Sequence, residues 1–243
     1  MNCLRSAEYI NKIDNVYKEY GLETIILHPY EWNFEKIDQN VAENLKANDI
    51  SFPFVMDRDW KIINEFGLDF WPTQILVMDG KVIYKHIGEG DYKELEEAII
   101  KGLNLGNVKR LFGKEPEYSK HPTVYCGTIK KGVVQPVKGK IKGFGFGVLY
   151  TQGLWNQEAE YLQSMEDNCE LSLVIKGSIV NFVAESLTEK PMRVSVSLKD
   201  KIVGDILVNG PRLYKLLELE REGEGVLTLK VEKGLGIYAF SFQ

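Results

Sequence analysis

The residues of this chain with the most reactive chemistry are its three cysteines, Cys3, Cys126 and Cys169. A thiol can attack a disulfide, hold a metal or pack as a small apolar side chain. These three are odd in number and far apart, so they form no disulfide framework. No two stand at CxxC spacing, which excludes a zinc ribbon. The histidines His28, His86 and His121 are equally dispersed, so no metal site is expected. His121 and Cys126 share HPTVYC, which reads as a loop. GKIKGFGFG is Gly-rich but lacks the GxxxxGK[ST] order, and no helix follows it to receive a phosphate. It reads as a strand or turn at a sheet edge. Cys169 sits among strand patterns and reads as buried and inert. Cys3 stands at the head of a helix-like pattern and is the thiol best placed for chemistry.

The whole-chain numbers bound the alternatives. At 243 residues and 44% hydrophobic composition, a core can form without disulfides or metal. The formal charge of −5 and pI near 5.4 argue against nucleic acid or an anionic membrane as main partner. No run of 18 apolar residues suggests a membrane span. MNCLRSAEYINK has no apolar h-region, so the sequence as it stands reads as soluble and cytoplasmic.

The elements that must position Cys3 follow from periodicity. Ile10, Ile13, Val16, Tyr17 and Tyr20 share a helical face, and Gly21 stops that helix. TIILH reads as a strand ended by Pro29. Asn33 is expected to cap a helix carrying Ile37, Val41 and Leu45. FPFVMD is a strand, and Asp57 or Asp59 caps the short helix DWKIINEF. QILVM and KVIYKHI flank Asp79-Gly80, a preferred pair for a tight hairpin. Asp91 with Glu94 predicts a capped helix carrying Leu95, Ala98, Ile99 and Leu103. Residues 1–105 therefore predict an α/β layer with a mixed sheet. Residues 106–136, rich in Lys, Gly and Pro, read as a linker. From 137 to 243 about eight short strands, among them RVSVSL, RLYKLLEL and IYAFSF, predict a β-sandwich of jelly-roll kind.

Several motifs, in order, carry a resemblance. Asn2, Cys3, Leu4 and Arg5 match the end of a C-x-N-C-L-R active site. His28, Glu31, Phe34 and Glu35 match H-x-x-E-F-x-F-E, with Trp32 for the first Phe. Trp71-Pro72 precedes the hairpin, and Gly88, Glu89 and Gly90 follow it. Pro211 to Tyr214 match P-R-L-Y, and Tyr238, Ala239, Phe240 and Phe242 match a terminal A-Y-A-F-T-F strand. The chain resembles the soluble C-terminal part of DipZ-type proteins, relatives of the TlpA-like thiol–disulfide oxidoreductases. The likeness covers nearly its whole length.

The resemblance implies an α/β thioredoxin-like domain followed by a jelly-roll-like sandwich similar to carbohydrate-binding domains. It implies exchange with a protein disulfide through Cys3, without organic cofactor or metal, and an extracytoplasmic setting. Pro72 is then a cis-proline and the peptide-binding edge. Trp71, Asn2 and Arg5 are candidate substrate contacts. Glu31, at a strand end, is a candidate proton shuttle, with His28 as its rival. In the C-x-N-C pattern Cys3 is the second cysteine. The first cysteine and the strand leading to it precede Met1 in that pattern, so the chain is expected to be impaired in turnover. The rival function is a non-enzymatic module that binds glycan or protein through the sandwich, with Trp155 or Tyr150 as a sugar platform. The absent strand would be central, between TIILH and QILVM. Its place is expected to be filled by VVQPV, by a second copy in a homodimer, or by direct pairing of its neighbours.

Overall fold

The computed structural model describes residues 2–115, 121–141, 143–188 and 190–243, and of Asn2 the backbone alone. The chain divides into two compact units, Met1–Tyr118 and Ser119–Gln243.

The first unit begins with α1 (Asn2–Tyr17). Its apolar spacing buries Ile13 and Tyr17 fully, while Tyr20, one turn further, falls in a 3-10 turn and stays 50% exposed. Gly21 closes the helix at φ 98°, in the left-handed region that suits glycine. Next come β1 (Ile26–His28), a 3-10 turn at Asn33–Lys36, α2 (Asp38–Ala47), β2 (Phe54–Met56) and α3 (Lys61–Glu65). Asn33 lies inside the 3-10 turn, and Ile37 takes the N-cap place of α2. Asp57 does cap α3, its two carboxylate oxygens accepting from the Ile62 and Ile63 N–H groups. The hairpin β3 (Thr73–Met78) and β4 (Lys81–Ile87) turns through Asp79 and Gly80, at φ 49° and 71°. Two positive φ angles in a two-residue loop match the right-handed twist of the strands.

α4 (Tyr92–Gly102) closes this unit. Its N-terminus is not capped by Asp91. Glu115 accepts from the Tyr92 and Lys93 N–H groups instead, at 3.1 and 3.0 Å, and the Asp91 carboxylate is taken by His86 Nδ1 at 2.7 Å. The segment after α4 also feeds the buried Glu96, which accepts from Tyr17 Oη, Leu111 N and Phe112 N. That triple bond set ties α1 and residues 111–112 to α4. Residues 106–136, expected as a linker, are thus divided. Phe112 packs in the first unit's core, while β5 (Val124–Tyr125) and β6 (Val133–Pro136) join the sheet of the second.

The sheet of the first unit departs from the expected single mixed sheet. β1 pairs only with β2, in parallel, and β3 only with β4. Among the described residues no strand bridges the two pairs. The core is split along the same line. Ile13, Tyr17, Tyr92, Leu95, Ile99, Ile100 and Phe112 form one cluster with Leu76 and Tyr84 of the hairpin, and Trp32, Val41, Ile50, Phe52 and Ile63 are buried outside it. VVQPV does not fill the gap, because β6 runs beside β7 (Val148–Gln152) from Val133↔Val148 to Pro136↔Thr151. The neighbours do not collapse on one another either. β1 is half-buried along its length, so water can satisfy edge groups that would cost about 1–3 kcal/mol each if dry.

The second unit is a single ten-stranded sheet that curls into a jelly-roll-like sandwich. Its remaining strands are β8 (Trp155–Gln157), β9 (Leu162–Ser164), β10 (Cys169–Ser186), β11 (Met192–Leu198), β12 (Lys201–Val208), β13 (Arg212–Val231) and β14 (Leu235–Phe242). The order along the main path is β12-β11-β13-β10-β14-β9-β8. The curl comes from β10. Its first half pairs with β7 and its second with β14, across register shifts next to Gly177 and Val180. Val194 and Val196 are buried while Ser195 and Ser197 face outward, the alternation read from the sequence. RLYKLLEL forms part of β13, and every residue from Leu235 to Phe242 is buried.

Phe240 is fully buried in the sheet interior and stacks against Phe182. Phe240→Ala is expected to lower the unfolding free energy of the second unit by about 3–5 kcal/mol. Denaturant titration followed by tryptophan fluorescence would show it, and an unchanged midpoint would contradict this packing.

Candidate functional site

The first turn of α1 carries Cys3, Arg5 and Ser6, and two contacts fix where it sits. Arg5 Nε and Nη2 donate to the two oxygens of Glu89 at 2.8 and 2.5 Å, with side chains only 11% and 7% exposed. This is a bidentate, charge-assisted pair, the strongest kind of hydrogen-bonded contact a carboxylate makes. Glu89 is held between Gly88 and Gly90, and the Gly88 N–H donates to the Pro72 carbonyl at 2.8 Å. One residue along α1, buried Ser6 accepts from Gln74 Nε2 at 3.4 Å, and the same nitrogen reaches the Gly90 carbonyl at 3.3 Å. Gln74 stands two residues after Pro72. The start of the cysteine-bearing helix is thereby stitched to the Trp71–Pro72 loop, where the peptide bond is cis and Pro72 is buried.

Cys3 is exposed. Its thiol pKa is nonetheless pushed up to about 11, by desolvation and by the charges of Glu31, Glu35 and Glu89. Lost hydration is the largest of these causes, and the three carboxylates add to it. A thiol in this setting is protonated at neutral pH. It is a poor first nucleophile.

The end of β1 supplies the rest of the site. Glu35 reaches back over the 3-10 turn, and its Oε2 accepts from the N–H groups of Glu31 and Trp32 at 2.6 and 3.1 Å. Burial nevertheless raises its pKa from 4.5 to about 7, against the help of those two bonds. His28 is held below its ordinary value by burial, so it is neutral at neutral pH, and its Nε2 is buried without a partner among the described residues.

The residues singled out from the sequence fare differently. Cys3, Arg5, Pro72 and Trp71 come together at one end of the unit as the contacts above require. Arg5 is not a free contact for substrate, since Glu89 engages it. Trp71 packs edge-on against Trp60 at 5.4 Å between ring centres. Glu31 is half-buried in the loop after β1, and its charge bears on both Cys3 and His28. The Asn2 side chain lies outside the described residues. Tyr150 is buried with its hydroxyl accepting from Gly145 N, and Trp155 packs against the sandwich core with its Nε1 donating to the Gln152 carbonyl. Neither offers an open sugar platform. Cys126 and Cys169 are fully buried in the second unit's core. Among the described residues no three His, Cys, Asp or Glu gather to hold a metal, and no helix is long and apolar enough to cross a membrane. Reading the sequence missed the roles of Ser6, Gln74 and Glu89, and it passed over Glu35 in favour of Glu31. A Glu closing a turn three residues after Trp32 is a capping-box signal that could have flagged it.

Residues 2–100 match the Redoxin family, and residues 147–242 match the family described as Thioredoxin like C-terminal domain. The first match lies in the first unit and the second in the all-β second unit. Its relatives include Protein DipZ of Mycobacterium bovis, 31% identical over 105 residues, covering 43% of this chain and 15% of that protein. The thiol-disulfide oxidoreductase ResA of Bacillus thuringiensis subsp. konkukian is 34% identical over 100 residues, covering 41% of this chain and 55% of that one. The chain therefore spans a small part of DipZ and about half of ResA. Among solved structures, the C-terminal CBM6 of LamC from Zobellia galactanivorans aligns at 13% identity and a TM-score of 0.31, over 37% of this chain and 88% of that one.

Two outcomes are expected. Iodoacetamide at pH 8 should label native protein slowly and only at Cys3. Mass mapping should find Cys126 and Cys169 unlabelled until denaturant is added; early labelling of either would contradict their burial. The second outcome concerns Glu35. An acid whose pKa is raised by folding stabilises the fold through the proton it takes up. That contribution is complete below 4.5 and is lost as pH rises through about 7. The redoxin domain should lose at most roughly 3 kcal/mol between pH 4.5 and 8 from this group. Unfolding titrations at both pH values should show a smaller loss in Glu35→Gln, and an equal loss would contradict the assignment.

Proposed function

We propose that the chain takes part in thiol–disulfide exchange with protein substrates through Cys3. The observation that carries this reading is the placement of an exposed Cys3 on a helix start fastened to the Trp71–Pro72 loop by Arg5–Glu89 and Ser6–Gln74. The match to the Redoxin family and the likeness to a protein named as a thiol-disulfide oxidoreductase support it. In this reading the Trp71–Pro72 loop is the edge along which an extended substrate chain lies beside the thiol. Glu31 and Glu35 handle the proton that the thiol releases.

The chemistry is set by the number of thiols. Cys3 is the one cysteine in the first unit, the other two standing at positions 126 and 169. Thiolate exchange at Cys3 opens a substrate disulfide, forms one Cys3–substrate disulfide and releases the other substrate sulfur as a thiol. No second thiol of the same unit then attacks that mixed disulfide. With its pKa pushed up, Cys3 suits the role of a resolving sulfur better than that of an attacking one. We therefore infer that these 243 residues capture a disulfide partner once and turn over poorly.

A direct test is incubation of reduced protein with oxidised glutathione at pH 8. One glutathione per chain should add, located at Cys3 and absent from Cys3→Ser. Insulin reduction with dithiothreitol should run close to the uncatalysed rate. Failure of Cys3 to form any mixed disulfide would overturn the exchange reading. Sustained turnover dependent on Cys3 alone would overturn the inferred impairment.

A further inference from the structure

From Tyr118 to Gln157 the chain carries six lysines and no aspartate or glutamate, although its formal charge is −5. Charge of one sign gathered in one stretch makes a local field that the net charge hides. The second unit folds part of this stretch back on itself. β5, the turn after it, the start of β6 and the residues before β7 surround a cleft of about 190 Å³. Its chemistry comes from Thr123, Tyr125, Lys130, Lys131, Val133 and Phe146, and among the described residues none that lines it is acidic. Neither Trp155 nor Tyr150 is part of its wall.

The two lysines stand on a fixed support. The turn that carries them closes on itself: the Lys131 N–H donates to the Thr128 carbonyl and the Gly132 N–H to the Gly127 carbonyl, each at 3.0 Å. It is also tied to the loop between β8 and β9, through Thr128 N–H to the Glu158 carbonyl and Ile129 N–H to the Ala159 carbonyl, again at 3.0 Å. Gly132 passes so close to the Tyr125 and Cys126 carbonyls that a side chain there has no room. Lys131 has φ 57°, in the left-handed region where glycine or asparagine sits more easily than lysine. A strained residue held by firm surroundings at a cleft points to function. Lys130 Nζ lies 5.4 Å from the centre of the Tyr125 ring, and Lys176 Nζ 5.6 Å from that of Phe146. Such contacts keep ammonium groups beside the ring walls. Lys176 also meets Glu224 at 3.8 Å, a long ion pair.

These features select the ligand. Two ammonium groups call for an anion. The N–H groups of Thr128, Ile129, Lys131 and Gly132 are all used within the protein. Among the described residues the cleft is lined by no arginine and no helix N-terminus, the parts from which phosphate sites are built. Its walls are aromatic and aliphatic instead, which suits an anion carried on a ring with an apolar face. The volume is below the about 300–1,000 Å³ of pockets for drug-sized ligands and suits a single ring. We propose that this cleft binds a carboxylate borne on a ring, the ring against Phe146 and Val133 and the carboxylate met by Lys130 and Lys131. A uronate unit of an acidic glycan and a small aromatic acid share that chemistry. The site lies within the second unit and does not involve Cys3.

The test uses the full chain carrying Cys3→Ser, so its outcome is independent of the exchange reading. Trigalacturonate, benzoate, maltotriose and phosphate are each titrated at low salt, with backbone amide shifts followed by NMR. Trigalacturonate or benzoate should shift the amides of residues 123–133 and 146–147, and the tighter of the two identifies the source of the ring acid. Maltotriose lacks the charge and phosphate lacks the ring, so both should bind about tenfold more weakly or not at all. Lys131→Gly removes the ammonium and relieves the left-handed backbone, so the turn is kept. It should weaken binding about fivefold, as should Lys130→Met, the effect of losing one partly exposed charge pair. Absence of binding by both ring acids would overturn the proposal. Phosphate binding as tightly as the ring acids would reduce the cleft to a patch of surface lysines and overturn it as well. Equal binding of maltotriose, or unweakened binding by both lysine variants, would show that the ammonium groups play no part and would have the same consequence.

Discussion

The Arg5–Glu89 pair is the contact on which the arrangement of the site depends. Both side chains are nearly buried, at 11% and 7% exposure. Burial of two charges is costly, and their attraction offsets that cost only when the geometry is good. Here both oxygens of the carboxylate are used, by two nitrogens of one guanidinium. The pair joins the first turn of α1 to the loop after the hairpin, and that loop in turn bonds the Pro72 carbonyl. Removing either partner would leave an uncompensated charge beside Cys3. The helix start would lose this fastening to the Trp71–Pro72 loop, with Ser6–Gln74 still in place among the described residues.

The same pair shapes the electrostatics. A guanidinium two residues from a thiol would ordinarily draw out its proton. Engaged by Glu89, Arg5 has little charge to spare, and the thiol faces Glu31 and Glu35 as well. A residue exposed enough to meet a partner is thus kept in its protonated form. Access and ionisation are thus separated: the sulfur is reachable, while lost hydration first, and carboxylates drawn from a different part of the chain second, hold it protonated.

The two units solve the problem of burying strands in different ways. In the second, β10 and β13 pair along almost their whole length, and the curl of one sheet encloses an interior rich in Leu, Val and Phe. In the first, among the described residues, two short strand pairs stand without a strand between them, and several buried side chains lie outside the one cluster. α1 and α4 are held by the Tyr17–Glu96 bond and by packing around Tyr92, so the half that carries the cysteine and the hairpin is the better knit.

Local pattern in the sequence determined much of this. Helical spacing from Ile10 to Tyr17 and the stop at Gly21 defined α1. Asp79-Gly80 defined the hairpin, and the alternation at Val194 and Val196 defined sandwich strands. All three depend on neighbours within a few residues, where periodicity and turn chemistry are legible. Cys3 and Pro72 were legible for the same reason, through short motifs. Only the tertiary structure decided the partners. Glu115 rather than Asp91 caps α4, because a side chain 23 residues away reaches the free N–H groups and His86 occupies the nearer carboxylate. VVQPV pairs in the sandwich rather than in the redoxin domain, because strand pairing is settled by which edges meet in space. Arg5 is tied to Glu89, 84 residues along the chain, and no spacing rule connects them. Burial around the turn after β1 gave Glu35 a raised pKa, since desolvation depends on everything packed nearby and not on the residues on either side.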